Sequence, residues 1–140
     1  MLDELNETVD ETAAEAKKAA IVSFYTSMNS DIYGHLLDSI ELVDRRLVLL
    51  KENKVKVVPQ LLPLTIVFKQ LSNFIKDSGI VPIDTTGREF FAEVEELAEY
   101  TYIGTPFSAD DQKKKVIVEK PGWKYGNVVI SLPTVREKEE

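Results

Sequence analysis

Ile75-Lys76-Asp77-Ser78-Gly79-Ile80-Val81-Pro82-Ile83 divides the chain into two textures. Ile75 closes a helical stripe. Gly79 suits the position just past a helix, because glycine adopts positive φ without penalty. Ile80 and Val81 then open a run of β-formers. Upstream lie long stretches without Gly and with few Pro. Downstream, Pro82, Gly87, Gly104, Pro106, Pro121, Gly122, Gly126 and Pro133 punctuate short segments. The expected fold is α+β: an N-terminal helix, two short amphipathic helices, then a small C-terminal β-domain.

Working upstream, Val57, Leu61, Leu64, Phe68, Leu71 and Ile75 recur at spacings of 4, 3, 4, 3 and 4, which predicts a helix over about 57–78. Pro59 fits a first turn, and Pro63 marks a start or a kink. Before it, Ile32, Leu36, Ile40, Val43, Leu47 and Leu50 form a second stripe behind the helix-start cluster Asn29-Ser30-Asp31, predicting a helix over about 30–52. Two helices enclose little core. Pairing of two copies into a four-helix bundle would bury both stripes, with Ile32, Leu36, Ile40, Val43, Leu47, Leu61, Leu64, Phe68, Leu71 and Ile75 at the dimer interface. Residues 2–28 are rich in Ala, Glu and Lys, so a helix is expected there too. Its stripe is thin, running through Leu2, Leu5 and Val9 to Ala13, Ala16 and Ala20, and a helix so poor in large apolar groups relies on a partner.

Working downstream, Ala98, Tyr100 and Tyr102 alternate with Glu99 and Thr101, and Val116 and Val118 alternate with Ile117 and Glu119. Pro121-Gly122 and Gly126-Asn127 read as turns. Five or six short strands are expected. The divisions are therefore a helical dimerisation region over 1–79, a β-domain over 80–136 and a solvated tail over 137–140.

Composition narrows the chemistry. There is no cysteine, so disulfides and thiolate sites are excluded, and one histidine leaves little material for a metal site or triad. The net charge of -7 disfavours nucleic acid and anionic membranes as partners. No apolar run reaches the roughly 18–20 residues of a membrane helix. The start Met1-Leu2-Asp3-Glu4 carries acid where a signal peptide carries base, so a cytoplasmic location is expected. No Gly-rich phosphate loop, nucleophile with a base, or metal set is present. An enzyme is therefore not expected, and neither is a cofactor.

The order of elements, with several local motifs, resembles the GrpE-type nucleotide exchange factors. Leu71 with Ile75 to Ile83 is similar to that family's helix end, Gly-Val/Ile and short strand. Gly87-Arg88-Glu89-Phe90 resembles its Gly-x-x-Phe. Val116-Ile117-Val118-Glu119-Lys120-Pro121-Gly122-Trp123-Lys124-Tyr125-Gly126 resembles its Val-rich strand, Gly-Tyr turn and following Gly, with Val128-Val129 at its Val-Leu. Leu36-Leu37-Asp38 through Asp44-Arg45-Arg46-Leu47 resembles its first bundle helix. Departures accompany these matches. Phe90-Phe91-Ala92 stands for Phe-Asp-Pro, Glu95-Glu96-Leu97 for His-Glu-Ala, and Ile130 to Thr134 lacks the arginine of Leu-Arg-Pro-Ala. The N-terminal helix is short, at roughly 42 Å for 28 residues.

The resemblance implies a homodimeric co-chaperone that binds the ATPase domain of a DnaK-type chaperone and favours its open cleft, releasing ADP without a catalytic side chain. The departures leave a second expectation, an adaptor or structural subunit without exchange activity. The expected partner face is the turns of the β-domain: Gly87, Arg88, Phe90 and Phe91, then Gly122, Trp123, Lys124 and Tyr125, together with Arg45 and Arg46 on the first short helix. Plainer readings stand beside these. Trp123 also suits hairpin packing, and both phenylalanines suit the core, although in a strand one of them must point away. Arg45 and Arg46 also suit bridges to Glu41 or Asp44. His35 reads as a partly exposed helix residue. Glu93, Glu95, Glu96 and Glu99 read as a solvated face, and Lys113-Lys114-Lys115 as an edge-strand guard.

Overall fold

The computed structural model describes residues 2–139, with side chains from Asp10 onward except Glu140. The side chains of Leu2, Leu5 and Val9, assigned above to the thin stripe, lie outside the described residues, as does Glu140 of the expected tail. The chain forms two compact units, one ending at Leu37 and the other beginning at Asp38. This division falls inside a helix and not at Gly79.

In the first unit, α1 spans Leu2–Met28. A 3-10 turn, Asp31–Tyr33, follows. Here the expectation of a helix from residue 30 is corrected. Gly34 and His35 both take positive φ, +65° and +52°, which breaks the spiral, and α2 begins at Leu36 and runs to Glu52. His35 is therefore not helical, and its Nε2 lies 2.6 Å from Asp31 Oδ1 across the turn. Ile32 is consequently off the α2 stripe and 86% exposed.

The second unit holds the remainder of α2, a 3-10 turn at Pro59–Leu61, and α3 over Leu62–Asp77, with Pro63 in its first turn. The α3 start thus lies five residues after the expected one, because Pro59 and Pro63 shape the entry. Val57 and Leu61 precede the helix. On α3, Phe68, Ser72 and Ile75 turn inward. Leu64, Val67, Leu71 and Phe74, at spacings of 3, 4 and 3, form an exposed stripe in which Phe74 is 62% exposed. Gly79 sits at φ +91° against the Tyr125 ring, as a helix stop.

Seven strands follow among the described residues. The three-stranded sheet is β1 (Ile80–Pro82), β5 (Trp123–Tyr125) and β6 (Val128–Ser131), in the order β1-β5-β6. The four-stranded sheet is β2 (Glu89–Ala92), β4 (Lys114–Lys120), β7 (Thr134–Glu137) and β3 (Thr101–Ile103), in the order β2-β4-β7-β3. Only the β3–β7 pair is parallel.

Three expectations change here. Residues 95–99 form a 3-10 turn anchored by buried Leu97, so the strand expected from Ala98 begins only at Thr101. Glu137 belongs to β7 and not to a tail. Lys113 to Lys115 leads into and lies on β4, a central strand, so it guards no edge. Ala92, Leu97, Val116, Val118 and Val135 form the core under the larger sheet, with Phe90, Tyr100, Tyr102 and Phe107 packed against it.

Candidate partner interface

Two segments of the β-domain carry most of the expected contact residues, the loop 83–88 with β2 and the β4–β5 turn with β5. They are bonded to one another. Ile83 N donates to Gly122 O at 3.1 Å, Asp84 N to Pro121 O at 2.9 Å, and Gly87 N to Val118 O at 2.8 Å.

Asp84 fixes the loop. Arg88 donates to it twice, through Nε and Nη2, each at 2.8 Å, and the Tyr100 hydroxyl donates at 2.6 Å. The Thr85 amide adds a bond at 2.7 Å. These donors, Arg88 foremost, hold the Asp84 carboxyl at about 2, against the opposing effect of burial. Arg88 is correspondingly pushed up, and burial with the Asp84 bond raises Tyr100. The Arg88 guanidinium also lies 4.1 Å from the centre of the Phe90 ring.

The pleat separates the two phenylalanines. Phe90 lies opposite Val116 and faces the core, while Phe91 lies opposite Lys115 and is 56% exposed. No bulge is needed to place them.

Across 121–126, Trp123 of β5 does not point outward as a partner anchor, and the plainer packing reading holds. Trp123 is only 6% exposed, and its Nε1 donates to Asp38 Oδ1 of α2 at 2.8 Å. A buried indole N–H needs such an acceptor. Gly122 is also buried, at φ +65°, and a Cβ there would stand 2.4 Å from Pro133 N. Its role is close backbone approach and not docking. Lys124 and Tyr125 are half-buried. Exposed members of the expected set are Arg46, Gly87, Arg88 and Phe91. Arg45 is half-buried. Its Nε lies 3.6 Å from Glu41 Oε1 and makes no hydrogen bond. Glu41 in turn accepts from Thr86 Oγ1 at 3.5 Å, and burial raises its pKa.

A second polar cluster carries residues the sequence reading had assigned to the surface. Lys114 alternates with Val116 and Val118, so the pleat turns it inward, where Nζ donates to Thr105 O at 2.8 Å and Pro106 O at 3.2 Å. Glu137 lies 3.4 Å away. Glu137 accepts from the Thr105 amide at 2.8 Å, which with the Thr105 hydroxyl and Lys114 holds its carboxyl at about 2. The period-2 pattern Lys114, Val116, Val118 was the available signal for this burial. Asp38 had no local signal, because its partner Trp123 comes from a distant segment, whereas Asp84 has local donors in Thr85 and Arg88 and takes only Tyr100 from further along the chain. Glu93, Glu95, Glu96 and Glu99 do not converge. Among the described residues no three His, Asp or Glu are grouped to hold a metal. No described helix is long and apolar enough to cross a membrane.

The class defined by this arrangement is an α+β protein in which helices precede a β-domain of two sheets. Comparison with protein-family models, with curated proteins and with solved structures finds no match to this chain.

Proposed function

We propose that the protein is a GrpE-like co-chaperone of the cytoplasm. It binds the ATPase domain of a DnaK-type chaperone and promotes ADP release by preferring the open cleft. One observation carries this reading. Two neighbouring segments with family-like motifs both pair with the third: Ile80–Pro82 with Trp123–Tyr125, and Glu89–Ala92 with Lys114 to Ile117. Exposed Phe91, Arg88 and Gly87 offer the partner face, and the task needs binding alone.

The working unit is a homodimer. The α3 stripe of Leu64, Val67, Leu71 and Phe74 is exposed, and a groove of about 230 Å³ between α2 and α3 is lined by Leu47, Val48 and Ile66. Contiguous apolar surface of this kind marks association. Ile32, Leu36, Leu61, Leu64 and Leu71 of the expected interface are exposed. Val67 and Phe74 join it, while Ile75 and Ile40 serve the protomer's own interior.

The test is release of labelled ADP from a cognate DnaK-type ATPase. Acceleration at micromolar protein is expected, and unchanged release would sink the reading. A second reading, an adaptor without exchange activity, is favoured by one observation: the aromatic residue expected to anchor a partner, Trp123, faces inward. Copurification with a non-chaperone assembly, without accelerated ADP release, would select it.

A further inference from the structure

One face of α2 carries Asp38, Glu41 and Arg45, at spacings of 3 and 4, and this face meets the β-domain. Asp38 accepts the indole N–H of Trp123 in β5 at 2.8 Å. One turn on, Glu41 accepts from Thr86 in the loop 83–88. The side chains that α2 sends across therefore reach both turns of the candidate partner face. The indole is buried, so its N–H is costly to leave without an acceptor, and the bond is directional. Asp38 occupies the first turn of α2, where the helix dipole favours a carboxylate. The helix end thus supplies a stabilised acceptor at the point where the hairpin needs one.

We infer that Asp38 is a positioning residue, seconded by Glu41: Asp38 sets the orientation of β5 and the turns that flank it on α2, and Glu41 that of the loop 83–88. Removing the acceptor loosens the loop 83–88 and β5 locally while the four-stranded sheet persists. The inference does not rest on the exchange-factor reading, since its test needs no partner.

Trp123 is the one tryptophan of the chain, so tryptophan emission reports the surroundings of this side chain. Asp38→Leu removes the acceptor at similar volume, and Asp38→Asn keeps a carbonyl oxygen in place. The expected result for Asp38→Leu is a red shift of several nanometres and at least tenfold faster amide exchange at residues 86–88 and 123–125, with unchanged exchange in the β4–β7 ladder. Asp38→Asn should restore the original emission. Wild-type emission and exchange in Asp38→Leu would overturn the inference. Should that variant fail to fold, the unaltered protein decides the matter: the indole N–H must exchange slowly with solvent by NMR. An indole proton exchanging at the free rate would equally overturn it.

Discussion

At the scale of single residues, the Asp84 carboxylate shows how a short loop is made rigid. Four donors converge on a group whose side chain is only 8% exposed. Its pKa is depressed from 3.8 to about 2, so its stabilising contribution is complete above the ordinary value. That contribution is lost as pH falls through the window between them. Asp84→Asn should flatten the acid limb of a urea-denaturation series in this window. At neutral pH it should cost about 1–2 kcal/mol, a charged hydrogen bond discounted for the exposure of Arg88. Gly122 gives a second residue-scale case. Its positive φ and the 2.4 Å clash a Cβ would meet at Pro133 N act together. Gly122→Ala should cost roughly 2–5 kcal/mol, strain plus overpacking, read as a lower denaturation midpoint.

At the scale of elements, side-chain alternation explains both the expected and the corrected assignments. The β2 pleat turns Phe90 to the core and Phe91 to solvent, so Phe90→Ala should lower stability and Phe91→Ser should leave it within about 0.5 kcal/mol. Central placement of β4 turns Lys114 into a buried cation with Glu137 and Thr105 as partners. Lys114→Ala removes the bonds of the buried ammonium to Thr105 and Pro106 and its pairing with Glu137, and a lower denaturation midpoint is expected. On α3 the two faces separate. Ile75→Ala should destabilise the fold by roughly 2–4 kcal/mol, measured by thermal or urea unfolding. Phe74→Glu should spare the fold and lower the mass seen in light scattering at tens of micromolar from dimer to monomer. A monomeric mass for the unaltered chain would refute the dimer.

At the scale of the whole molecule, burial raises the Glu41 pKa on the α2 face that meets the β-domain, with Arg45 opposing and Asp38 and Asp44 adding to the rise. A raised carboxyl binds its proton more tightly in the folded state. Stability therefore falls as pH rises through the folded pKa. Glu41→Gln should be more stable than the unaltered chain at pH 7 and equal to it in acid, a difference readable from denaturation midpoints across pH.

The change from helix to strand at Gly79 was legible because glycine and helical periodicity are local facts. So were the Pro63 entry to α3 and the alternation of β4. The start of α2 was misread because Tyr33-Gly34-His35 interrupts the apolar stripe without ending it. The last strand was hidden by its charges. Arg136 and Glu137 look like a solvated tail, yet Arg136 pairs with Glu119, Glu137 with Lys114, and Val135 is fully buried.

By itself, then, the sequence determined the helical and β-rich halves, the helix stops and the turns, since these follow from backbone preferences within a few residues. Only the tertiary structure decided which polar groups are buried and what satisfies them. Trp123 lies 85 residues from Asp38, and Tyr100 lies 16 from Asp84. A side chain's period says which face it occupies. The identity of the group opposite depends on which distant strand or helix the fold sets against that face.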